Sequence, residues 1–253
     1  MLAVDLGGES GRVMMLEFNG SKFYLEEIHR FANLPVEAAG TLFWNVLSLW
    51  REMQIGIAKS PSVDSIGVDS WGVDFALLDR HGKLLGNPLH YRDSCTEGMK
   101  EWVFERVPQK ELFKRTGNQS NLLNGLYQLA HLVKTQSPML EACDTFVTIA
   151  DLFNYWLSGN KFCEYTHATT QQLYNPTKSE WDYETMEALE IPKQIFPKVQ
   201  KPGTQIGKYH QIPVILPACH DTASAVVAVP SNTQDHAFLS SGTWSLLGLE
   251  LEE

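Results

Sequence analysis

The chain has 253 residues, of which 43% are hydrophobic and 20% are charged, and this ordinary globular composition excludes collagen-like, coiled-coil and disordered chains. Its 20 Lys and Arg residues against 30 Asp and Glu residues give a net charge of −10, which argues against non-specific binding to nucleic acid. No run of about 18 apolar residues occurs, so we expect neither a transmembrane helix nor a membrane partner.

Several common site types have no support in the sequence. The four cysteines form no CxxC pair, which disfavours a zinc ribbon and leads us to expect reduced thiols in a cytoplasmic protein. The histidines form no HxH, HExxH or HxxxH pair, and no GxSxG motif is present, so a zinc hydrolase and an esterase are both disfavoured. The first strand contains Asp5 and has no basic segment before it, which is untypical of a signal peptide.

The first 31 residues have the pattern of an antiparallel meander. Residues 2–6 form a short apolar run, and a turn with three glycines follows at residues 7–11. Residues 12–18 predict a second strand, and Asn19-Gly20 is a strong hairpin signal before a third strand at residues 22–31.

A helix and two strands are predicted next. Apolar side chains recur at helical spacing from residue 43 to 59, and strand-like runs follow at residues 63–69 and 73–79. A meander followed by a strand–helix–strand crossover predicts an α/β fold with a mixed sheet.

The remainder of the chain is predicted to be helical first and mixed afterwards. Helices are expected at residues 96–107, 109–116, 125–135 and 150–157. Later elements are a strand at 214–218, a helix at 220–228 and two strands at 237–241 and 244–249.

Two turns rich in glycine and hydroxyl groups could bind an anion. Consecutive backbone amides in the turn between Asp5 and Arg12 could surround a phosphate, and Asp5 could hold a hydrated Mg²⁺. The strand–turn–strand at residues 240–245 is a weaker version of the same feature. The alternative for both is an ordinary hairpin turn.

Two polar segments carry candidate site residues. Asp221 begins a predicted helix after a strand, where it could be a general base or a helix cap. Asp69 and Asp74 bracket Trp71-Gly72, an arrangement that could bind a sugar or could be a buried tryptophan in a turn.

The order of motifs resembles the FGGY family of carbohydrate kinases. The motifs are DLGGESGR at 5–12, VDSWGVDF at 68–75, YRD at 91–93, TGNQ and LYQL at 116–129, EYTHATTQQLYN at 164–175, HDTASAV at 220–226 and LSSGTWSLLG at 239–248. The resemblance implies an α/β, ribonuclease-H-like domain of the actin and sugar-kinase superfamily, with a mixed five-stranded sheet flanked by helices. It also implies that residues 1–236 are the N-terminal domain and that residues 237–253 open a second, nucleotide-binding domain. Members of the family are nearly twice this length, so we expect no kinase activity from this chain alone.

The resemblance also implies a reaction and its residues. The partners would be ATP with Mg²⁺ and a small sugar, with no nucleic acid. The substrate would be a ketose, and the motifs at 220–226 and 239–248 are most similar to members that phosphorylate L-rhamnulose on O1. By resemblance, Asp221 is the catalytic base and Asp5 lies near the metal. The positions matching the phosphate loops are Gly8, Glu9, Ser10, Gly11, Arg12 and Thr243. The positions matching the sugar site are Gly72, His220, Asp221 and Thr222.

Two segments depart from the family pattern. Gly8-Glu9 replaces the more usual Ala-Ser, and we expect the Glu9 carboxylate to point away from a nucleotide because it would repel phosphate. Residues 118–125 also differ, which leaves another ketose or polyol, such as fuculose or xylulose, as an alternative substrate. A non-catalytic sugar-binding regulatory module on the same fold is the alternative from a different functional class.

Overall fold

A computed structural model describes residues 1–231, 236–242 and 245–250, and it confirms the opening meander. Strands β1 (Leu2–Leu6), β2 (Ser10–Phe18) and β3 (Phe23–Ala32) pair antiparallel in that order. The β2–β3 turn forms where predicted, because the Asn19 side-chain oxygen accepts hydrogen bonds from the amides of Ser21 and Lys22.

The predicted crossover helix begins three residues later than the sequence pattern suggested. A short hairpin of β4 (Val36–Ala38) and β5 (Thr41–Phe43) takes Phe43 into a strand. Asn45 then caps α1 (Val46–Lys59), because its side chain accepts from the Ser48 amide. Strand β6 (Ile66–Ser70) follows and pairs parallel with β1.

The middle of the chain contains a strand pair that the sequence analysis placed only in part. Strand β7 (Phe75–Leu78) pairs with β8 (Thr145–Thr148) in a separate two-stranded sheet. The predicted helix at 96–107 is shorter in the structure. A 3₁₀ turn at Ser94–Thr96 comes first, and Gly98, with a φ of 72°, is the N-cap of the helix that follows. The helices here are α2 (Met99–Phe104), α3 (Gln109–Thr116), α4 (Gly125–Lys134), α5 (Pro138–Ala142) and α6 (Ile149–Ser158).

Short elements complete the helical region, and several of them were not predicted. In chain order they are β9 (Cys163–Glu164), α7 (Tyr165–Thr170), β10 (Tyr174–Asn175), β11 (Glu180–Trp181), α8 (Tyr183–Ala188), a 3₁₀ turn at Lys193–Ile195 and β12 (Val199–Gln200). Helix α3 and helix α6 agree with their predicted positions to within one residue at each end.

The main sheet has six strands where five were predicted. Strands β13 (Gln205–Tyr209) and β14 (Ile212–Ile215) form a hairpin, and the strand order is β13-β14-β6-β1-β2-β3. The extra strand is β13, an edge strand with an irregular register between Gln205 and Gly207. Its polar, glycine-containing sequence lacks the apolar alternation that signals a strand, so the local pattern did not predict it.

The last described elements are a helix and a hairpin. Helix α9 (Asp221–Val227) is followed by β15 (Ala237–Ser241) and β16 (Ser245–Leu249), which pair with each other. The predicted helix and strands are therefore present. Trp244, the first residue of the last predicted strand, lies outside the described residues. Leu239, Leu247 and Leu249 of this hairpin are each more than 60% exposed. No helix in the described part of the chain combines the length and hydropathy that crossing a bilayer requires.

Two hydrophobic clusters hold the described residues together. In the first, α1 packs against β2 and β3 and α6 packs against β6 and β13, with Met53 and Phe153 fully buried. The second surrounds α4 and includes Tyr127, Phe146 and Trp181. The first cluster supports the strands whose ends form the site described below.

The close approach of α1 to the sheet predicts the sign of one substitution. Gly56 is buried, and an added Cβ would lie 2.8 Å from the Val13 Cβ. Gly56→Ala should therefore lower the free energy of unfolding by about 1–3 kcal/mol through overpacking, although alanine is the better helix former by about 1 kcal/mol. Gln54→Ala, at an exposed position of the same helix, should change it by less than about 0.5 kcal/mol. Urea denaturation measures both, and equal stability of the two variants would contradict the packing.

Candidate active site

Three carboxylates meet at one end of the main sheet. Asp5 and Asp69 are register partners in the parallel β1–β6 pair. The chain returns to the same end of the sheet at His220, which forms an isolated β-bridge with Ser70. Asp221 is the next residue. In open α/β sheets, ligands bind beyond the carboxyl ends of the strands. Here that region is a cavity of about 710 Å³, and all three carboxylates line it.

Most of the predicted site residues are brought together at this cavity. The predicted residues that line it are Asp5, Gly8, Glu9, Ser10, Arg12, Gly72, His220, Asp221 and Thr222. Ser240, Ser241 and Gly242 of the second turn line it as well. Thr243 lies outside the described residues.

The glycine turn between β1 and β2 is held in a shape that leaves amides free. Asn33 donates from its side chain to the Gly7 carbonyl at 2.8 Å and from its backbone to the Glu9 carbonyl at 2.9 Å. Within the described residues, the amides of Gly8 and Glu9 donate no hydrogen bond. Free successive amides form an anion-binding concavity, so the turn has the chemistry of a phosphate site.

Gly11 and Glu9 differ from the other members of this turn. Gly11 is not among the lining residues, and an added Cβ would overlap the Phe31 ring, so packing alone requires glycine there. Glu9 is exposed and borders the cavity. The expectation that its carboxylate faces away from a nucleotide stays a prediction.

Asp5 and Asp69 have the electrostatics of a cation site. Asp5 is paired with Arg12 at 2.5 Å. Burial raises the pKa of Asp69 well above its usual value, and the charges of Asp5 and Asp221 and a hydrogen bond shared with Asp5 raise it further. The sequence analysis singled out Asp69 only as a possible sugar ligand. Its place beside Asp5 depends on the parallel register of two strands whose paired residues are 64 positions apart in sequence, which no local pattern contains.

The residues present fit a magnesium ion that keeps most of its water. Among the residues the structure describes, no group of three or more His, Cys, Asp or Glu side chains forms a closed metal site. Mg²⁺ prefers one or two carboxylates, several waters and substrate phosphates to an all-protein cage. The mutual repulsion of Asp5, Asp69 and Asp221 would be relieved by such a cation.

Asp221 has the properties of a base that works near neutral pH. Burial raises the pKa of Asp221 to about 6, and the nearby charge of Asp5 contributes to this rise. Its Oδ1 accepts from the Thr222 amide at 2.6 Å, which opposes the rise. The His220 ring lies 3.6 Å away, and burial lowers the pKa of His220 to about 4, so this imidazole is neutral at pH 7.

A second buried carboxylate fixes the turn that carries Asp221. Glu164 Oε2 accepts from the Cys219 amide at 3.1 Å and from the Thr166 hydroxyl at 2.5 Å. The Thr166 hydroxyl oxygen in turn accepts from the His220 amide at 3.1 Å. Glu164 and Thr166 therefore hold the backbone immediately before Asp221. Neither residue was predicted to have a role. The EYTH motif at residues 164–167 was the only feature of the sequence that pointed to them.

Gly72 lies close to the His220 side chain of the turn that carries Asp221. An added Cβ would stand 3.0 Å from the His220 ring and 3.0 Å from the Thr170 methyl group. The absence of a side chain leaves room beside His220, so a ligand hydroxyl could reach the backbone at this point. Asn121, Leu123 and Asn124 line the same cavity, and they belong to the segment 118–125 that departs from the family pattern.

The chain matches known proteins along almost its whole length. A family model described as the FGGY family of carbohydrate kinases, N-terminal domain, matches residues 1–227. Proteins named rhamnulokinase from Pectobacterium atrosepticum and Halalkalibacterium halodurans are each 41% identical to it. The two alignments cover 99% and 98% of this chain but 53% and 56% of the relatives. The chain thus spans about half the length of the curated relatives it matches.

Solved structures share the fold at low sequence identity. A xylulose kinase from Lactobacillus acidophilus superposes with a TM-score of 0.84 and 18% identity, covering 97% of this chain and 53% of that chain. Plasmodium falciparum glycerol kinase with ADP superposes with a TM-score of 0.79 and 19% identity, and the match covers 97% of this chain and 53% of that chain. These likenesses confirm the predicted α/β sugar-kinase fold.

The anchoring of the base-bearing turn generates a stability prediction. Thr166→Val should leave the His220 amide unpaired and should lower the free energy of unfolding by about 1–3 kcal/mol. Thr169→Val on the same helix removes a hydroxyl that only donates to the Thr166 carbonyl, so its effect should stay within about 0.5 kcal/mol. Chemical denaturation compares the two variants, and a Thr166→Val protein as stable as the control would refute the anchor.

Proposed function

Because the chain belongs to the FGGY family of carbohydrate kinases, we propose that it provides the sugar side of a kinase that phosphorylates a ketose. The substrate proposed is L-rhamnulose, phosphorylated on O1 with ATP as donor, in line with the names of its 41% identical relatives. The observation that carries the proposal is that Asp221, Gly72, Gly8 and Glu9 line one cavity.

The proposed reaction assigns a proton transfer to Asp221. A carboxylate oxygen of Asp221 accepts the proton of the sugar hydroxyl while that hydroxyl oxygen bonds to the γ-phosphorus of ATP. The bond between the γ-phosphorus and its bridging oxygen breaks, and ADP leaves with the bonding electrons. Phosphoryl transfer has a loose transition state, so positioning and charge stabilisation supply most of the catalysis. A positioned base adds roughly 10²–10⁴-fold to the rate.

The remaining site residues have roles in binding and charge stabilisation. Gly72, His220 and Thr222 are proposed to contact the sugar, and the neutral His220 ring can donate or accept a hydrogen bond. The Gly8 and Glu9 amides, with Ser10 and Arg12 beside them, are proposed to bind the ATP phosphates. Asp5 and Asp69 would hold Mg²⁺, which neutralises the charge that develops on the transferred phosphoryl group.

We propose that residues 1–236 form the N-terminal domain of a longer enzyme and that β15 and β16 begin its partner domain. The length of the relatives supports this, because this chain covers 53% and 56% of them. The exposed leucines of the hairpin also support it, since apolar side chains in such a row are normally covered. Closure of the second domain would exclude water from the cleft.

Substitution of the proposed base tests the reaction directly. In the full-length enzyme, Asp221→Asn should keep the fold and L-rhamnulose binding but should lower kcat by about 10²-fold or more. Asp64→Asn, at an exposed position away from the cavity, is the matched control and should leave kcat unchanged. A coupled assay of ADP release measures both. Near-normal kcat in Asp221→Asn would reject the assignment, and a panel with fuculose and xylulose decides between the candidate sugars. Sugar binding without ATP turnover in the unsubstituted enzyme would favour the regulatory module.

The pH dependence of kcat/KM tests the same residue independently. Asp221 must be ionised to accept a proton, and its pKa in the folded protein is raised to about 6. The value of kcat/KM for the sugar should therefore rise with pH up to about 6 and should fall about tenfold for each pH unit below it. Initial rates between pH 5 and pH 8 give the profile. The acidic limb should be absent in Asp221→Asn, and a flat profile in the unsubstituted enzyme would contradict the prediction.

A further inference from the structure

We propose that Asp74 is a positioning residue that fixes one wall of the cavity, formed by Trp71, Gly72 and Val73. This role rests on the proposed sugar site, to which Gly72 belongs. Asp74 is fully buried and does not line the cavity. Its neighbours Trp71, Gly72 and Val73 all do. The residue would therefore act on the ligand only through the side chains and backbone that it holds.

One oxygen of Asp74 holds two tryptophans. The indole Nε1 atoms of Trp44 and Trp71 both donate to Asp74 Oδ2, at 2.6 Å and 2.9 Å. The other oxygen accepts from the Gln128 side chain at 2.6 Å. These donors come from the segment before α1, from the end of β6 and from α4. Asp74 thus joins three parts of the domain at one point behind the wall.

The tryptophans continue into an aromatic stack that reaches the glycine turn. The Trp44 ring lies 4.0 Å from the Trp71 ring and 4.0 Å from the His90 ring, and His90 lies 4.6 Å from Tyr91. The Tyr91 backbone also hydrogen-bonds Asp74. Tyr91 lines the cavity next to Gly8. The contacts of Asp74 therefore reach both Gly72, a proposed sugar-binding residue, and Tyr91, which lies next to Gly8 of the proposed phosphate-binding turn.

The backbone in front of Asp74 is strained and needs such an anchor. The Asp74 amide donates to the Gly72 carbonyl at 2.9 Å, and Val73 between them has a φ of 69°. This is a γ-turn with positive φ, a rare and strained conformation, and a β-branched residue makes it more unfavourable. Strained backbone persists only where the surroundings determine it, and it concentrates at functional sites. Here Asp74 holds one end of the turn, and the Thr170 hydroxyl accepts from the Val73 amide.

The donors around Asp74 favour its ionised form. The side chains and the backbone group that bond it are N–H donors, and N–H donors suit a carboxylate rather than a carboxylic acid. Burial raises the pKa of Asp74 to about 7, and the hydrogen bonds oppose that rise. Asn in its place would retain one acceptor oxygen for the two indoles, and the Gln128 oxygen, which has no partner among the described residues, could accept from the new amide.

Indole signals give a readout that does not depend on sugar. In ¹H–¹⁵N spectra of this chain, assigned with Trp44→Phe and Trp71→Phe, the two Nε1–H signals should lie downfield because both bond a carboxylate. Both should move upfield in Asp74→Asn and further in Asp74→Leu. Two unmoved signals in either folded variant would overturn the proposal.

Sugar affinity gives the second readout, with a matched control. Asp182 is also buried and hydrogen-bonded, to the Thr185 amide and hydroxyl, but it lies in the second cluster region away from the cavity. Calorimetric titration with L-rhamnulose should show Kd raised about tenfold or more in Asp74→Leu and by less than about threefold in Asp74→Asn. Asp182→Leu should lower the melting temperature without changing Kd.

The outcomes separate this proposal from the proposed function. An unchanged Kd in folded Asp74→Leu would overturn the positioning role while leaving the sugar site intact. Failure of the unsubstituted chain to bind L-rhamnulose would count against the proposed sugar site, and the indole signals alone would then decide whether Asp74 holds the wall.

Discussion

The parallel pairing of β1 with β6 is the constraint on which the site depends. It places Asp5 beside Asp69. The β-bridge between Ser70 and His220 brings Asp221 to the same end of the sheet. Burial and like charge make this group of carboxylates unfavourable unless a proton or a cation joins it. Arg12 offsets part of the charge through Asp5. A hydrated magnesium ion bound to phosphates, as proposed above, would supply further positive charge.

Two buried carboxylates outside the cavity give the site its shape. Glu164 fixes the turn before Asp221, and Asp74 fixes the turn that contains Gly72, so the two faces of the proposed sugar site are held from behind. The hydrogen bonds that the structure gives these two side chains come from N–H and O–H groups rather than from cations. A buried carboxylate satisfied in this way keeps a fixed position without placing a positive charge behind the cavity.

Local pattern predicted the elements well where neighbours in sequence decide them. The Asn19-Gly20 hairpin, α3 and α6 follow from turn residues and helical spacing. The α/β class follows from the meander and the strand–helix–strand crossover, whereas the grouping of Asp5, Gly72 and Asp221 came from the resemblance. The sequence analysis missed β13, whose pairing compensates for a polar edge sequence, and it assigned no role to Glu164, whose bond to Cys219 spans 55 residues. Such contacts depend on tertiary packing, which cannot be predicted from the pattern of neighbouring residues.

The glycine motif shows how one short sequence can satisfy two separate demands. Resemblance treated Gly8 to Arg12 as a single phosphate-binding block. In the structure, Gly8 lies at the cavity with a free amide, whereas Gly11 lies under Phe31, where any side chain would displace the ring. Arg12 pairs with Asp5 across the β1–β2 ladder. The free amide makes Gly8 a candidate for anion binding, whereas packing constrains Gly11. A substitution at Gly11 would disturb the proposed anion site only indirectly, because the Phe31 ring would have to move away from the start of β2.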